Sequence, residues 1–117
     1  MRYFRVNTWN VNGAKKLENS LSALEVLNSV DVNGLQETFL LPDEDGLELE
    51  GYASYHSRGF RVNGRPRWGV SSYFRLSSFS DGSLHEVISL LPWVVVIRWL
   101  PKGSLLFGVL IFFSMYW

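Results

Sequence analysis

Two polar turns follow apolar stretches of the chain, and both carry side chains that can bind a metal ion. The first is Trp9-Asn10-Val11-Asn12-Gly13, and the second is Gly34-Leu35-Gln36-Glu37-Thr38. If the two preceding stretches are neighbouring parallel strands, both turns fall at the same edge of one sheet. Asn10, Asn12 and Glu37 then converge. One carboxylate among amides suits a hard cation, which predicts a site for Mg²⁺ or Mn²⁺.

Each of these residues also has a simpler explanation. Asn12-Gly13 is a common turn pair, so a structural turn explains Asn12 about as well. Glu37 can be a solvated acid at a strand end. Gln36 more often hydrogen-bonds within a scaffold than takes part in chemistry. The spacing alone leaves these alternatives open.

The charges are separated along the chain although the net charge is zero. All charged residues within 31–50 are acids, and all charged residues within 51–75 are arginines. Phe60 and Trp68 could stack on bases, while four of these arginines, which stand close to them in sequence, could contact phosphates: Arg58, Arg61, Arg65 and Arg67. For the charge pattern, the alternative is two solvated loops that neutralise each other. For the four arginines, the alternative is an exposed hairpin loop.

Composition limits the classes of protein that remain. A length of 117 residues allows one domain. The chain has no Cys and only two His, which excludes a disulfide scaffold, a Cys-ligated zinc site, an iron–sulfur cluster and a His-rich metal cage. An apolar content of 47% is too high for a disordered chain.

The elements that must position the two turns form a β-α-β unit. We expect strands over Tyr3–Trp9 and Val30–Glu37, joined by one helix over Lys15–Ser29. The buried face of that helix is predicted to carry Leu17, Leu21, Leu24, Asn28 and Leu27. Antiparallel strands should follow: Tyr52–Arg58, Trp68–Leu76, Leu84–Ile88, Trp93–Leu100 and Leu105–Phe113. The pattern predicts an α/β fold that starts with parallel strands.

The pair "TWNVNG" and "VNGLQETFL", separated by one helix, resembles the opening of the endonuclease/exonuclease/phosphatase superfamily. Within it, the sequence is most similar to the endonuclease domain of non-LTR retrotransposons. The stretches "GYASYHSRGFRVNGRPRWGVSSYFR" and "PKGSLLFGVLIFF" resemble that domain's continuation, although Trp68 stands where the family usually has Gly. The likeness covers nearly the whole chain, but only the first half of such a domain.

The resemblance implies the N-terminal half of a four-layer α/β sandwich, and Mg²⁺-dependent hydrolysis of a phosphodiester in DNA or another nucleic acid. Glu37 would be the metal-binding carboxylate, and Asn10 would orient it, the metal or the phosphate. Asn12 stands where relatives often have Asp, and would be a weaker metal ligand.

Several groups that the family uses later in its domain have no match in these 117 residues. The chain contains no Gly-Asp-x-Asn and no Ser-Asp-His run, and Ile111 stands where a Tyr would fall. We therefore expect a single partial domain over residues 1–117, truncated at its C-terminus and inactive alone.

Two other functions remain open: a nucleic-acid-binding remnant without catalysis, and a small membrane-associated protein that uses residues 90–117. Arg98 and Pro101-Lys102-Gly103 interrupt that apolar tail, which favours a buried strand hairpin over a membrane anchor. Loss of a second half should bare the inner face of the first sheet, so self-association through Trp93–Trp117 is expected. No secretory signal opens the chain, which predicts an intracellular protein.

Overall fold

The computed structural model describes residues 5–78 in full, and the backbone of 85–91, 94–99 and 108–113. A 3₁₀ helix spans Lys15–Asn19, helix α1 spans Leu21–Asn28, and a 3₁₀ turn spans Leu76–Ser78. The strands are β1 Val6–Asn10, β2 Val32–Gln36, β3 Tyr52–Ser57, β4 Phe60–Val62, β5 Arg65–Arg67, β6 Val70–Arg75, β7 His85–Leu91, β8 Val94–Trp99 and β9 Gly108–Phe113.

Two sheets form the centre of the fold. The first has the order β1-β2-β6-β3, with β1 and β2 parallel and the other pairs antiparallel. The second is the antiparallel sheet β7-β8-β9, which lies against β2, β3 and β6. The prediction of a parallel start followed by antiparallel strands is confirmed. We call the end of the first sheet where β1 and β2 finish the carboxyl edge, and the opposite end the amino edge.

The outer face of the first sheet is covered by the helical segment and by the loop over residues 42–50. Leu35 of β2 and Tyr73 of β6 are buried there against Leu17, Leu27 and Leu47. The Tyr73 hydroxyl donates to the Leu47 carbonyl at 2.7 Å, which fixes the loop on the sheet. This packing positions the carboxyl edge, because both the loop and the helical segment adjoin it.

The inner face of the first sheet is buried, unlike the bare face that truncation was expected to leave. Val32, Val70 and Phe74 are at most 2% exposed. The β7-β8-β9 sheet lies on this side, so these strands cover the face that a separate second half was expected to cover. The predicted self-association segment, Trp93–Trp117, lies mostly outside the described residues.

The helix expected over Lys15–Ser29 is broken at Ser20. Ser20 has extended backbone angles, and its hydroxyl accepts from the Ala23 amide at 3.2 Å as the N-cap of α1. The break changes the angular phase between the two helical segments, so the predicted stripe does not hold. Leu17 and Leu27 are buried, but Leu21 is 81% exposed, and its prediction as a core residue is wrong.

The arginine-rich connection forms a short hairpin of two strands, β4-β5, where the sequence offered an exposed hairpin loop as one alternative. Asn63 and Gly64 both have positive φ, +51° and +77°. This is the backbone that two-residue hairpin turns require, and Asn-Gly is the pair that adopts it most readily.

No helix within the described part of the chain is long and apolar enough to cross a membrane.

Candidate metal corner at the carboxyl edge

The two polar turns lie side by side at the carboxyl edge. Asn10 is level with Gln36 in the parallel pair of β1 and β2. Past the strands the segments stay hydrogen-bonded: Val11 N donates to Gln36 O at 3.0 Å, and Gly13 N donates to Glu37 O at 2.8 Å. The backbones that carry Asn10, Asn12 and Glu37 are therefore joined directly. We call these three residues the metal corner.

The backbone of the metal corner is unusual at two of its three residues. Asn12 has φ +47° and Glu37 has φ +53°. Asn tolerates this left-handed region, but Glu rarely occupies it and does so at a cost in free energy. Thr38 N and Phe39 N donate to Gly69 O and Trp68 O, at 3.1 and 2.9 Å, and so hold the segment after Glu37 in place. The surrounding fold therefore imposes the conformation of Glu37.

The corner side chains are accessible and uncommitted. Asn10 and Asn12 are exposed, and Glu37 is half-buried. None of the three bonds through its side chain to another described residue; the only side-chain contact to this corner is from Lys16 Nζ, which donates to the Asn12 carbonyl at 3.1 Å. One carboxylate and two amide oxygens are thus free to take a ligand.

Residues of these types could hold a hard divalent cation that keeps several of its waters. Mg²⁺ is commonly held by one or two carboxylates together with water, and amide oxygens are also suitable ligands. The described residues contain no cluster of three or more His, Asp and Glu side chains. Glu37 is therefore the ligand on which binding at this corner would depend, and the amides of Asn10 and Asn12 could add to it.

The four arginines predicted to bind nucleic acid occupy two different environments. Arg58 Nη1 donates to the carbonyls of Leu41 and Glu44, so its guanidinium holds the loop over residues 42–50, the acidic loop, on the sheet. Arg61 and Arg65 are exposed on the β4-β5 hairpin, and Arg67 is half-buried at its end. Arg61 Nη1 also donates to the Gly64 carbonyl within the hairpin, at 3.0 Å, and Arg65 and Arg67 make no ion pair with a described acid.

The acidic and arginine-rich blocks meet through one ion pair in the described residues, Arg75 with Asp31 at 3.6 Å. In the described residues the ion pairs are Lys15 with Glu44 and Arg75 with Asp31. Arg58 reaches the acidic loop through carbonyl groups rather than carboxylates. The blocks are thus joined by an ion pair at the amino edge, and none of the four predicted nucleic-acid-binding arginines takes part in an ion pair with a described acid.

His56 plays a structural part that its sequence context did not reveal. Its Nδ1 lies 2.7 Å from the Ser71 hydroxyl, and its ring meets Tyr73 edge-on at 5.8 Å between centroids. Burial, and then the charge of Arg58, lower the pKa of His56. Gly46 fits against the ring because a Cβ there would lie 2.6 Å from Cε1. His56 thus helps to seat the acidic loop.

Other residues beside the corner were missed by sequence reasoning. Lys15, Lys16 and Phe39 line a cavity that opens next to it. The two lysines follow Gly13 almost directly, and Phe39 stands two residues after Glu37. Their closeness in sequence to the two polar turns is the signal that could have identified them.

Comparison with known proteins finds similarity among solved structures. No protein-family model matches the chain, and no curated protein matches it. Among solved structures, the catalytic domain of Xenopus laevis APE2 superimposes with a TM-score of 0.54 at 20% identity, over 78% of this chain and 37% of that one. The fold is that of the endonuclease/exonuclease/phosphatase proteins. The chain spans well under half of the APE2 domain.

Proposed function

We propose that these residues form the metal-binding part of a phosphodiesterase that acts on nucleic acid, of the kind found in retroelement endonucleases. The observation that carries the proposal is the metal corner: a half-buried carboxylate with no side-chain partner among described residues, on strained backbone joined to the Asn12-Gly13 turn. The endonuclease/exonuclease/phosphatase fold gives this corner its functional context.

The roles within the corner follow from residue chemistry. Glu37 supplies the negative charge that holds Mg²⁺ or Mn²⁺, and the Asn12 amide oxygen can complete the ligand set. The Asn10 amide can orient the carboxylate or donate to a phosphate oxygen. A bound divalent ion would neutralise charge on the phosphoryl group as water attacks it.

The same residues lack a group to activate the attacking water, so we propose that they do not cleave nucleic acid by themselves. The described residues contain one Asp-x-Asn run, Asp31-Val32-Asn33. Asn33 is fully buried and donates to Leu27 O at 2.8 Å, while Asp31 bonds Arg5 N at the amino edge. Neither side chain can reach the metal corner, so neither can act there as the general base.

Metal titration tests the corner without requiring activity. We expect the chain to bind Mn²⁺ weakly, as followed by the loss of free-ion signal in electron paramagnetic resonance. Glu37→Gln should weaken binding at least about tenfold, because it removes the only charge of the donor set. Glu48→Gln, an exposed acid on the same chain, is the matched control and should leave binding unchanged. Equal binding by both variants contradicts the proposal.

Plasmid nicking tests the proposed inactivity. With Mg²⁺ present we expect no conversion of supercoiled to open-circular DNA above a buffer blank. Robust nicking that Glu37→Ala abolishes would show that the chain is a complete enzyme, and would overturn this part of the proposal.

A second candidate function, nucleic-acid binding without catalysis, is favoured by the hairpin arginines. Arg61, Arg65 and Arg67 make no ion pair with a described acid. DNA binding should therefore weaken steeply with salt, and each Arg→Ala change should reduce the slope of log affinity against log salt by about 1. Binding that does not depend on salt would dispose of this function.

A further inference from the structure

A groove beside the metal corner combines an apolar surface with cationic side chains. Its volume is about 370 Å³, within the range of roughly 300–1,000 Å³ typical of small-ligand pockets. Phe39, Leu41 and Pro66 give it apolar surface, while Lys15, Lys16 and Arg61 supply three positive charges. We call it the Phe39 groove.

The groove is continuous with the metal corner. Gly13 and Thr38 line it, and each directly follows a corner residue, Asn12 or Glu37. Lys16 Nζ donates to Asn12 O at 3.1 Å, so its ammonium is held at the junction. A ligand that fills the groove therefore lies next to the atoms proposed to hold the metal.

Phe39 is held in an unfavourable conformation, which points to a purpose beyond packing. Its φ is +57°, a left-handed value that is rare for a bulky residue. Its ring lies over Gly13: a Cβ built there would be 3.7 Å from Phe39 Cδ2. Strained residues of this kind concentrate at ligand sites. The ring is only half-buried, so part of its surface faces the groove.

The charge of the groove favours an anion. Glu44 also lines it but is paired with Lys15, which leaves Lys16 and Arg61 without a carboxylate partner among described residues. An apolar aromatic surface beside two uncompensated cations matches a nucleotide, which has an aromatic base and an anionic phosphate.

We propose that the Phe39 groove binds one unstacked nucleotide of a single strand, with the base against Phe39 and its phosphate at Lys16 and Arg61. A base in a duplex is stacked on both faces, so an aromatic side chain can meet it only after it leaves the stack. The chain should therefore prefer single strands or unpaired junctions. The groove proposal rests on the proposed function, because that function names nucleic acid as the substrate.

Fluorescence anisotropy tests the groove on the whole chain, with EDTA present so that a metal ion at Glu37 does not contribute to binding. The probes are a short fluorescein-labelled oligothymidylate and a duplex of equal length. We expect the single strand to bind about tenfold more tightly. Phe39→Leu should remove that preference and leave duplex binding unchanged, while Phe39→Tyr should restore it. Lys16→Gln should weaken both, and Arg5→Gln, a cation near the amino edge, should weaken neither.

Photocrosslinking of the unaltered chain covers the case in which Phe39→Leu does not fold. Oligothymidylate containing 5-iodouracil should attach to the peptide that carries Phe39. Any one of four results would overturn the proposal that the groove binds a nucleotide. They are equal affinity for single strand and duplex, an unaffected Phe39→Leu variant, adducts confined to other peptides, and no binding at all. The Mn²⁺ titration of Glu37 reports on the proposed function independently of these results.

Discussion

The two ends of the first sheet are built from similar residues but differ in how those residues are used. At the amino edge, Asp31 accepts from Arg5 N at 2.8 Å and from the Ser78 hydroxyl at 2.5 Å, and pairs with Arg75. Arg75 also donates to the Tyr52 hydroxyl, which lies 2.6 Å from Val30 O. The side chains of Asp31, Arg75 and Tyr52 therefore have partners that tie the segments at this end together.

The carboxyl edge has the opposite character. Of the five described non-glycine residues with positive φ, four lie there: Asn12, Glu37, Phe39 and Trp68. The side chains of the metal corner have no hydrogen-bond partner among described residues, although two of them are amides and one is a carboxylate. One end of the sheet thus stabilises the fold, and the other holds strain and free polar groups, as expected of a ligand site.

The largest effect expected at the carboxyl edge is from Gly69→Ala. Gly69 has φ +96°, and a Cβ there would lie 2.3 Å from Thr38 Oγ1 and 3.3 Å from Phe39 N. The segment after Glu37 would have to shift, and we expect the free energy of unfolding to fall by about 3 kcal/mol. Urea denaturation measures the loss.

Gly64→Ala is the matched control for this change. Gly64 also has positive φ, +77°, but a Cβ there meets nothing within 4 Å. Only the cost of the left-handed backbone remains, about 1 kcal/mol. Similar losses for the two variants would show that the close approach of Gly69 to Thr38 does not matter, and would weaken the distinction between the corner and an ordinary turn.

The second effect in size concerns the amino edge. Burial alone would raise the pKa of Asp31, but the Arg5 amide, the Ser78 hydroxyl and the Arg75 charge outweigh it, so the pKa of Asp31 lies below its ordinary value. Asp31→Asn should lower the free energy of unfolding by about 2 kcal/mol, since it weakens several charge-assisted contacts.

The pH dependence of stability checks the same contacts. Because the folded pKa of Asp31 is depressed, its contribution is complete above the unfolded pKa, about 3.9, and is lost as pH falls through the lower folded pKa. Asp31→Asn should therefore flatten the acid limb of the stability curve. Glu50→Gln, at an exposed position, should leave that limb unchanged; an equal change in both variants would contradict the role of Asp31.

The sequence predicted the features that depend on local pattern and on strand order. The apolar runs located β1 and β2, and the polar turns that follow them marked the carboxyl edge where Asn12 and Glu37 lie together. The break at Ser20 was missed because its cap bond to Ala23 competes with a helical pattern that runs through it. A local pattern does not show which of the two wins.

Features that depend on long-range register were beyond the sequence. The His56–Ser71 contact exists because β3 and β6 pair with those residues opposite each other, and nothing local fixes that register. The same holds for Arg58. The sequence predicted that it binds nucleic acid and did not show that its guanidinium donates to the Leu41 carbonyl. The left-handed φ of Glu37 is likewise imposed by contacts that other segments make with the residues after it.

The smallest effect separates backbone strain from side-chain function at Glu37. Replacement by Gly relieves the left-handed backbone at φ +53°, whereas replacement by Ala retains it. We expect Glu37→Gly to be about 1 kcal/mol more stable than Glu37→Ala, in thermal or urea unfolding, with Mn²⁺ binding lost in both. Glu25, exposed on α1, is the control: there Gly should be about 1 kcal/mol less stable than Ala, because the backbone is helical. Opposite signs at the two positions would show that the fold holds Glu37 against its backbone preference. Glu37 then lowers stability relative to Gly, which indicates that the carboxylate serves binding rather than stability. The same sign at both positions would remove strain from the description of the metal corner and leave Glu37 an ordinary acid at a strand end.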